Sequence, residues 1–124
     1  MDIVASIPET ADTLLPLPAA TFHILMALAE EDRHGYGIIL DVAARTDGAL
    51  KLSPGTLYRS IQRMLELGLI VETSTRPAPD QDDERRRYYR ITAFGTMVAR
   101  AETLRLTRLL RLARASGFAP VKAS

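Results

Sequence analysis

Residues 53 to 68 carry their own start and stop signals for a helix, and this bounded helix restricts the folds open to the chain more than any other feature. Ser53 can accept a hydrogen bond from the first free amides of a helix. Pro54 lacks the donor that would be orphaned there and already has helical φ. Gly68 is the usual residue for a left-handed helix end. Between them Leu57, Ile61, Met64 and Leu65 form one apolar face, while Gly55, Thr56, Arg59, Gln62 and Arg63 fall on the opposite one. A helix with one apolar and one cationic face needs other elements to seat it.

The flanking sequence supplies them. Upstream, Ala19 to Glu31 carries Phe22, Leu25, Leu28 and Ala29 as a helical stripe. His34-Gly35-Tyr36-Gly37 interrupts it, and Tyr36 to Arg45 resumes the pattern through Ile39, Leu40, Ala43 and Ala44 until Asp47-Gly48. Downstream, β-branched and aromatic residues predict strands over Leu69 to Thr75 and Arg87 to Thr92. The connection from Arg76 to Glu84 is too long for a tight turn, so the strands read as a β-hairpin with an exposed loop. Thr92 is an N-cap for a last helix, Ala93 to Ala115, ended by Ser116-Gly117.

The fold class is therefore mainly α with a small β-hairpin: a winged helix-turn-helix followed by a long additional C-terminal helix. The expected division is an N-terminal leader at 1–16, the winged helix-turn-helix at 17–92, a dimerisation helix at 93–116 and a tail at 117–124.

Composition narrows the function. At 124 residues and 47% hydrophobic content the chain can bury one core, and a two-domain enzyme is not expected. Zero cysteines exclude disulfides, thiolate zinc sites and cysteine nucleophiles. The longest apolar stretch, Ile24 to Ala29, is far short of the ~20 residues a bilayer crossing requires. Asp2 stands where a signal peptide would carry a basic residue, so a cytoplasmic location is the default expectation and no membrane partner is expected. Net charge is split: residues 1–84 hold 6 Arg/Lys against 14 Asp/Glu, or −8, and residues 85–124 hold 10 against 1, or +9. A concentration of positive charge fits contact with a polyanion, and an arginine-laced solvated helix is the alternative.

At this point three segments resemble one family. Leu52-Ser-Pro-Gly-Thr-Leu-Tyr-Arg-Ser-Ile-Gln-Arg-Met-Leu-Glu-Leu-Gly-Leu-Ile70 is similar to the recognition helix of PadR-type transcriptional regulators. His34-Gly35-Tyr36-Gly37-Ile38 resembles the family's motif before helix two, and Arg86-Arg87-Tyr88-Tyr89-Arg90-Ile91-Thr92 its wing and the start of the last helix. The resemblance covers about residues 14 to 115, with the motifs in the family's order. The chain departs from the pattern in the acidic Asp82-Asp83-Glu84 ahead of the basic run, and in Gly95 within the first turn of the last helix.

The candidate DNA-binding residues follow. Thr56, Arg59 and Arg63 share one side of helix three with Gln62, and arginine's planar fork suits guanine or phosphate. A solvated face is the rival reading. Ser53, Gly55 and Thr56 lie at a helix N-terminus that favours a phosphate oxygen, although most such sequences only cap a helix. The resemblance implies that the Tyr58 hydroxyl reaches the DNA backbone; core packing is the alternative. Arg85, Arg86, Arg87 and Arg90 surround two tyrosines, and strand alternation separates Arg86, Tyr88 and Arg90 from Arg85, Arg87 and Tyr89. One set would face phosphate or the minor groove.

No catalytic, cofactor or metal site is expected. The acids at 80, 82, 83 and 84 lie on a loop that cannot fix their separation, and His23 and His34 fall on different elements. On the last helix, Phe94, Met97, Val98, Ala101 and Leu104 form one stripe. Leu106, Leu109, Leu110, Leu112 and Ala113 then spread around the circumference, more than a lone helix on a small domain can bury. A homodimer accounts for this, the helix packing on its own domain and on the partner chain with these residues at the dimer interface and Arg100, Arg105, Arg108, Arg111 and Arg114 flanking the seam, and the resemblance implies the same. It also implies a repressor acting on a two-fold-symmetric operator in double-stranded DNA. By analogy it adds a small hydrophobic effector near the dimer interface, with Phe94 the best-placed aromatic. The rival functions are a winged-helix protein adaptor and a small-molecule-binding or enzymatic domain.

Overall fold

The structure is a computed structural model describing residues 10–73 and 87–118. Four helices, α1 (Ala19–Leu28), α2 (Gly35–Arg45), α3 (Pro54–Leu67) and α4 (Ala93–Ala115), accompany a small antiparallel sheet. Its strands β1 (Arg33–His34), β2 (Ile70–Thr73) and β3 (Tyr88–Ile91) lie in the order β1-β3-β2. This is the mainly helical winged architecture the sequence predicts.

The helices with local start and stop signals lie where those signals put them. The Ser53 hydroxyl accepts the Thr56 amide at 3.1 Å. Gly68 takes a left-handed φ of 78°, so the Leu69 amide can donate back to the Met64 carbonyl at 2.9 Å. The Thr92 hydroxyl accepts the Gly95 amide at 2.9 Å and opens α4. The first helix differs: it ends at Leu28 rather than Glu31. Glu30, Glu31 and Asp32 would otherwise extend it at the negative end of its dipole. Instead the chain turns and delivers Arg33 and His34 into β1.

That strand is absent from the sequence-based reading, because two residues show no alternation. It pairs Arg33 with Tyr89 and His34 with Tyr88, and β2 pairs on the other side, so β3 is the central strand. His34 also caps α2, its Nδ1 accepting the Gly37 amide at 3.1 Å. One core unites the layers. Ile24, Leu25 and Leu28 of α1, Ile38 and Val42 of α2, and Leu57, Ile61 and Met64 of α3 meet Leu69, Ile70, Tyr89 and Val98.

The N-terminal segment is tied to α4. A 3-10 turn at Ala11–Leu14 precedes Leu17, whose amide donates to Glu102 Oε2 at 3.3 Å. Arg105 donates to the same carboxylate through Nε at 2.6 Å and Nη2 at 2.9 Å. Glu102 is only 3% exposed, yet the Arg105 hydrogen bonds outweigh burial and hold its carboxyl below the usual range. With the folded value depressed, the unfolded chain takes up the proton first. The stabilisation is complete above the unfolded carboxylate value of about 4.3 and is lost as pH falls from there through the folded value. Replacing Glu102 by Gln should therefore flatten the acid limb of the thermal-stability profile. Parallel wild-type and variant profiles below pH ~5 would show that the cluster contributes nothing.

Candidate nucleic-acid interface

Helix α3 presents two different surfaces. Leu57, Ile61 and Met64 are buried, while Ser53, Gly55, Tyr58, Arg59, Gln62 and Arg63 are exposed and Thr56 is half-buried. The helix entry is internally bonded: the Ser53 hydroxyl donates to Thr56 Oγ1 at 3.1 Å, and Arg59 Nη2 reaches the same oxygen at 3.5 Å. Arg59 has no carboxylate partner among the described residues. Arg63 does, donating to Glu66 Oε1 at 3.4 Å.

Tyr58 is 51% exposed, which sets aside the core-packing reading of its ring. Its hydroxyl lies over the first residue of α2, where a Cβ on Gly35 would overlap it. The glycine of the segment 34–37 thus seats the tyrosine of α3, and two sequence motifs read separately are one contact. Burial pushes the Tyr89 phenol up, with Glu72 and Tyr58 adding to the rise and Arg87 opposing it. The α3 surface and the base of the β2–β3 wing therefore approach each other around Tyr58 and Tyr89.

The wing follows the predicted parity, with a correction to its bare face. Tyr89 joins the core, and Tyr88 and Arg90 fall on the opposite side. Because β3 is central, Tyr88 is also buried, with its ring edge-on to His34 at 5.2 Å and 89°. Arg90 binds Asp32 in a bidentate pair, Nη2 to Oδ2 at 2.8 Å, and Arg87 binds Glu72 at 2.9 Å. These carboxylates raise both guanidinium groups above their ordinary values. The exposed Arg87–Glu72 pair is weak and can be exchanged for phosphate oxygens, whereas the bidentate Arg90–Asp32 pair, its carboxylate largely shielded, is held more firmly. Arg85, Arg86 and the acids at 80–84 lie outside the described residues.

Helix α4 divides along its length. Val98, read from the sequence as a dimer-interface residue, is fully buried among the chain's own residues, and Phe94, Ala101 and Ala113 are half-buried. Met97, Leu104, Leu106, Leu109, Leu110 and Leu112 are exposed, Leu112 to 66%. Arg105 turns back onto Glu102, while Arg100, Arg108, Arg111 and Arg114 are exposed. Between α1 and α4 lies an apolar groove of about 470 Å³, lined by Phe22, Leu25, Met26, Ile91, Ala99 and Arg100 among others. Phe94 is not part of its lining; Phe22 is the aromatic there. No helix among the described residues is long and apolar enough to cross a membrane.

The model of the transcriptional regulator PadR-like family matches residues 24–101. An uncharacterised protein of Lysinibacillus sphaericus is 36% identical over 72 residues, which are 58% of this chain; the chain spans 63% of that relative's length. A transcriptional regulator from Clostridium thermocellum has a similar structure, with a TM-score of 0.67 and 25% identity over 77% of this chain and 87% of that one. Bacillus subtilis PadR, solved in complex with operator DNA, has a TM-score of 0.57 and 17% identity over 69% of this chain and 47% of that one.

Proposed function

Since the chain belongs to the PadR-like family of transcriptional regulators, we propose that it binds double-stranded DNA as a homodimer. Each protomer lays α3 in a major groove of a two-fold-symmetric operator, with the wing arginines 85, 86, 87 and 90 on flanking phosphate or the minor groove. The family is one of regulators rather than enzymes. The observation that carries this reading is the exposed polar face of α3, with Tyr58, Arg59, Gln62 and Arg63 directed away from the core. The operator complex of the structurally similar Bacillus subtilis protein supports it.

In this reading residues 17–92 form the DNA-binding unit and 93–116 the dimerisation helix. The exposed leucines of α4 support a two-fold dimer, because so many large apolar side chains left exposed on one helix of a small domain fit an interaction site. The protein represses transcription, and a small hydrophobic effector releases it by binding better to a dimer with differently spaced heads. The α1–α4 groove supports an effector site, since its volume lies in the range of small-molecule pockets and Arg100 adds a cation to an apolar lining.

Arg59 is the direct test of the DNA-facing surface. Replacing it by Ala should lower affinity for the cognate duplex about five- to 150-fold, the worth of a good bidentate base contact, and lower affinity for random duplex much less. Equal losses on both would reassign Arg59 to phosphate. Unchanged affinity for both would remove this face of α3 from the interface.

A further inference from the structure

We propose that Glu66 determines specificity on the α3 surface: it engages Gln62 and Arg63 in the DNA-free protein and exchanges them at the operator for the exocyclic amino group of a cytosine. This rests on the reading of α3 as the DNA-facing helix.

Gly55, Arg59, Gln62 and Glu66 follow at steps of four, three and four residues, which keeps them on one stripe of the helix. With Tyr58 and Arg63 they line a shallow cleft of about 570 Å³. The carboxylate therefore shares the surface assigned to base and phosphate contacts.

Glu66 Oε2 accepts from Gln62 Nε2 and Oε1 from Arg63 Nη1, both at 3.4 Å. These distances lie at the long end for N–H···O contacts, and all three side chains are exposed, so the contacts are weak and exchange readily. Gln62 and Arg63 are the donors that DNA would take. Glu66 thus competes with nucleic acid for them, and its charge disfavours any phosphate brought near.

A carboxylate facing DNA is satisfied only where a base edge offers a donor. In the major groove cytosine N4 is the donor that Glu accepts from; the adenine amino group is also a donor but lies beside the N7 acceptor of the same base, and guanine O6 and N7 and thymine O4 are acceptors that repel a carboxylate. One side chain then supplies both an attraction at the correct base pair and a repulsion elsewhere, which is how discrimination exceeds affinity alone.

The test selects bound sites from a random duplex pool with the full chain and with Glu66→Ala, and measures affinity for random duplex at 0.15 M salt. The wild-type pool should contain one position in each half-site dominated by a C·G pair. In Glu66→Ala the preference there should fall at least about five-fold while other positions hold. Random-sequence affinity should rise about two- to five-fold as the opposing charge is lost. Glu66→Gln, which keeps an acceptor without the charge, should show the same rise and retain part of the preference. Unchanged base preference at every position in both variants, with cognate and random affinity moving together, would reduce Glu66 to a surface charge and overturn the proposal alone. A wild-type pool with no enriched sequence would overturn the DNA-facing reading of α3, and this proposal with it.

Discussion

On the proposed two-fold assembly, Leu109→Glu should yield monomers at micromolar concentration and remove most of the affinity for an intact operator. Leu109 is 51% exposed on the distal half of α4, among other exposed leucines. In a two-fold interface the substitution acts twice. Each buried leucine contributes about 1.5–3 kcal/mol, so losing two costs about 3–6 kcal/mol and raises the dimer dissociation constant roughly 10²- to 10⁴-fold. Burying an unpaired carboxylate adds to this. The DNA consequence follows from bivalency: two linked heads gain about 10²–10⁴ in affinity over one, and a monomer forfeits that gain while keeping its half-site contacts. Sedimentation or light scattering reads the first effect and titration of a two-half-site duplex the second. A dimer that persists in the variant would place the interface elsewhere on the chain.

Gly95→Ala should destabilise the fold, the reverse of what the same substitution does in an ordinary helix. Alanine in place of an interior glycine normally gains up to about 1 kcal/mol through propensity and unfolded-state entropy. Here a Cβ would overlap the Leu69 carbonyl oxygen and stand 3.0 Å from Ile91 Cγ1. The obstacle is backbone, which cannot swing aside as a side-chain tip does. The same carbonyl accepts the Thr92 amide at 3.0 Å, and the Thr92 hydroxyl donates to the Gly68 carbonyl at 2.7 Å. Moving α4 away would therefore break the junction that fixes the end of α3 against the start of α4. A net loss of about 2–4 kcal/mol is expected, or roughly 10 °C or more in Tm for a domain of this size, compared at equal protein concentration. A variant as stable as the wild type would show that the junction yields. By contrast, a Cβ at Gly35 meets chiefly the movable Tyr58 hydroxyl, so that site bears more on Tyr58 orientation than on stability.

These two glycines mark the boundary of what was legible in the sequence. Signals that act within a few residues could be read directly: Ser53, Pro54 and Gly68 bound α3, Thr92 opens α4, and helical spacing separates the buried face of α3 from its polar one. Gly95 could be noted only as a departure from the family pattern, because its cause is a carbonyl 26 positions away in the chain. The Tyr58–Gly35 contact and the Arg90–Asp32 pair are likewise tertiary, and β1 is too short to carry a period. Val98 shows a different limit. Periodicity identifies the stripe it occupies but not whether that stripe meets its own core or a second copy. Glu66 was within reach, since it lies three and four residues after Arg63 and Gln62, the spacing at which helix neighbours touch.

The proposed function requires a two-fold pair of subunits to offer two α3 faces to one duplex. Selection of wild-type-bound sequences from a random duplex pool tests it most directly. The expected result is an inverted repeat whose half-sites are centred about one helical turn, roughly 10 bp, or a multiple of it apart. Recovery of unenriched sequence, or of a single asymmetric site with no second half, would contradict it.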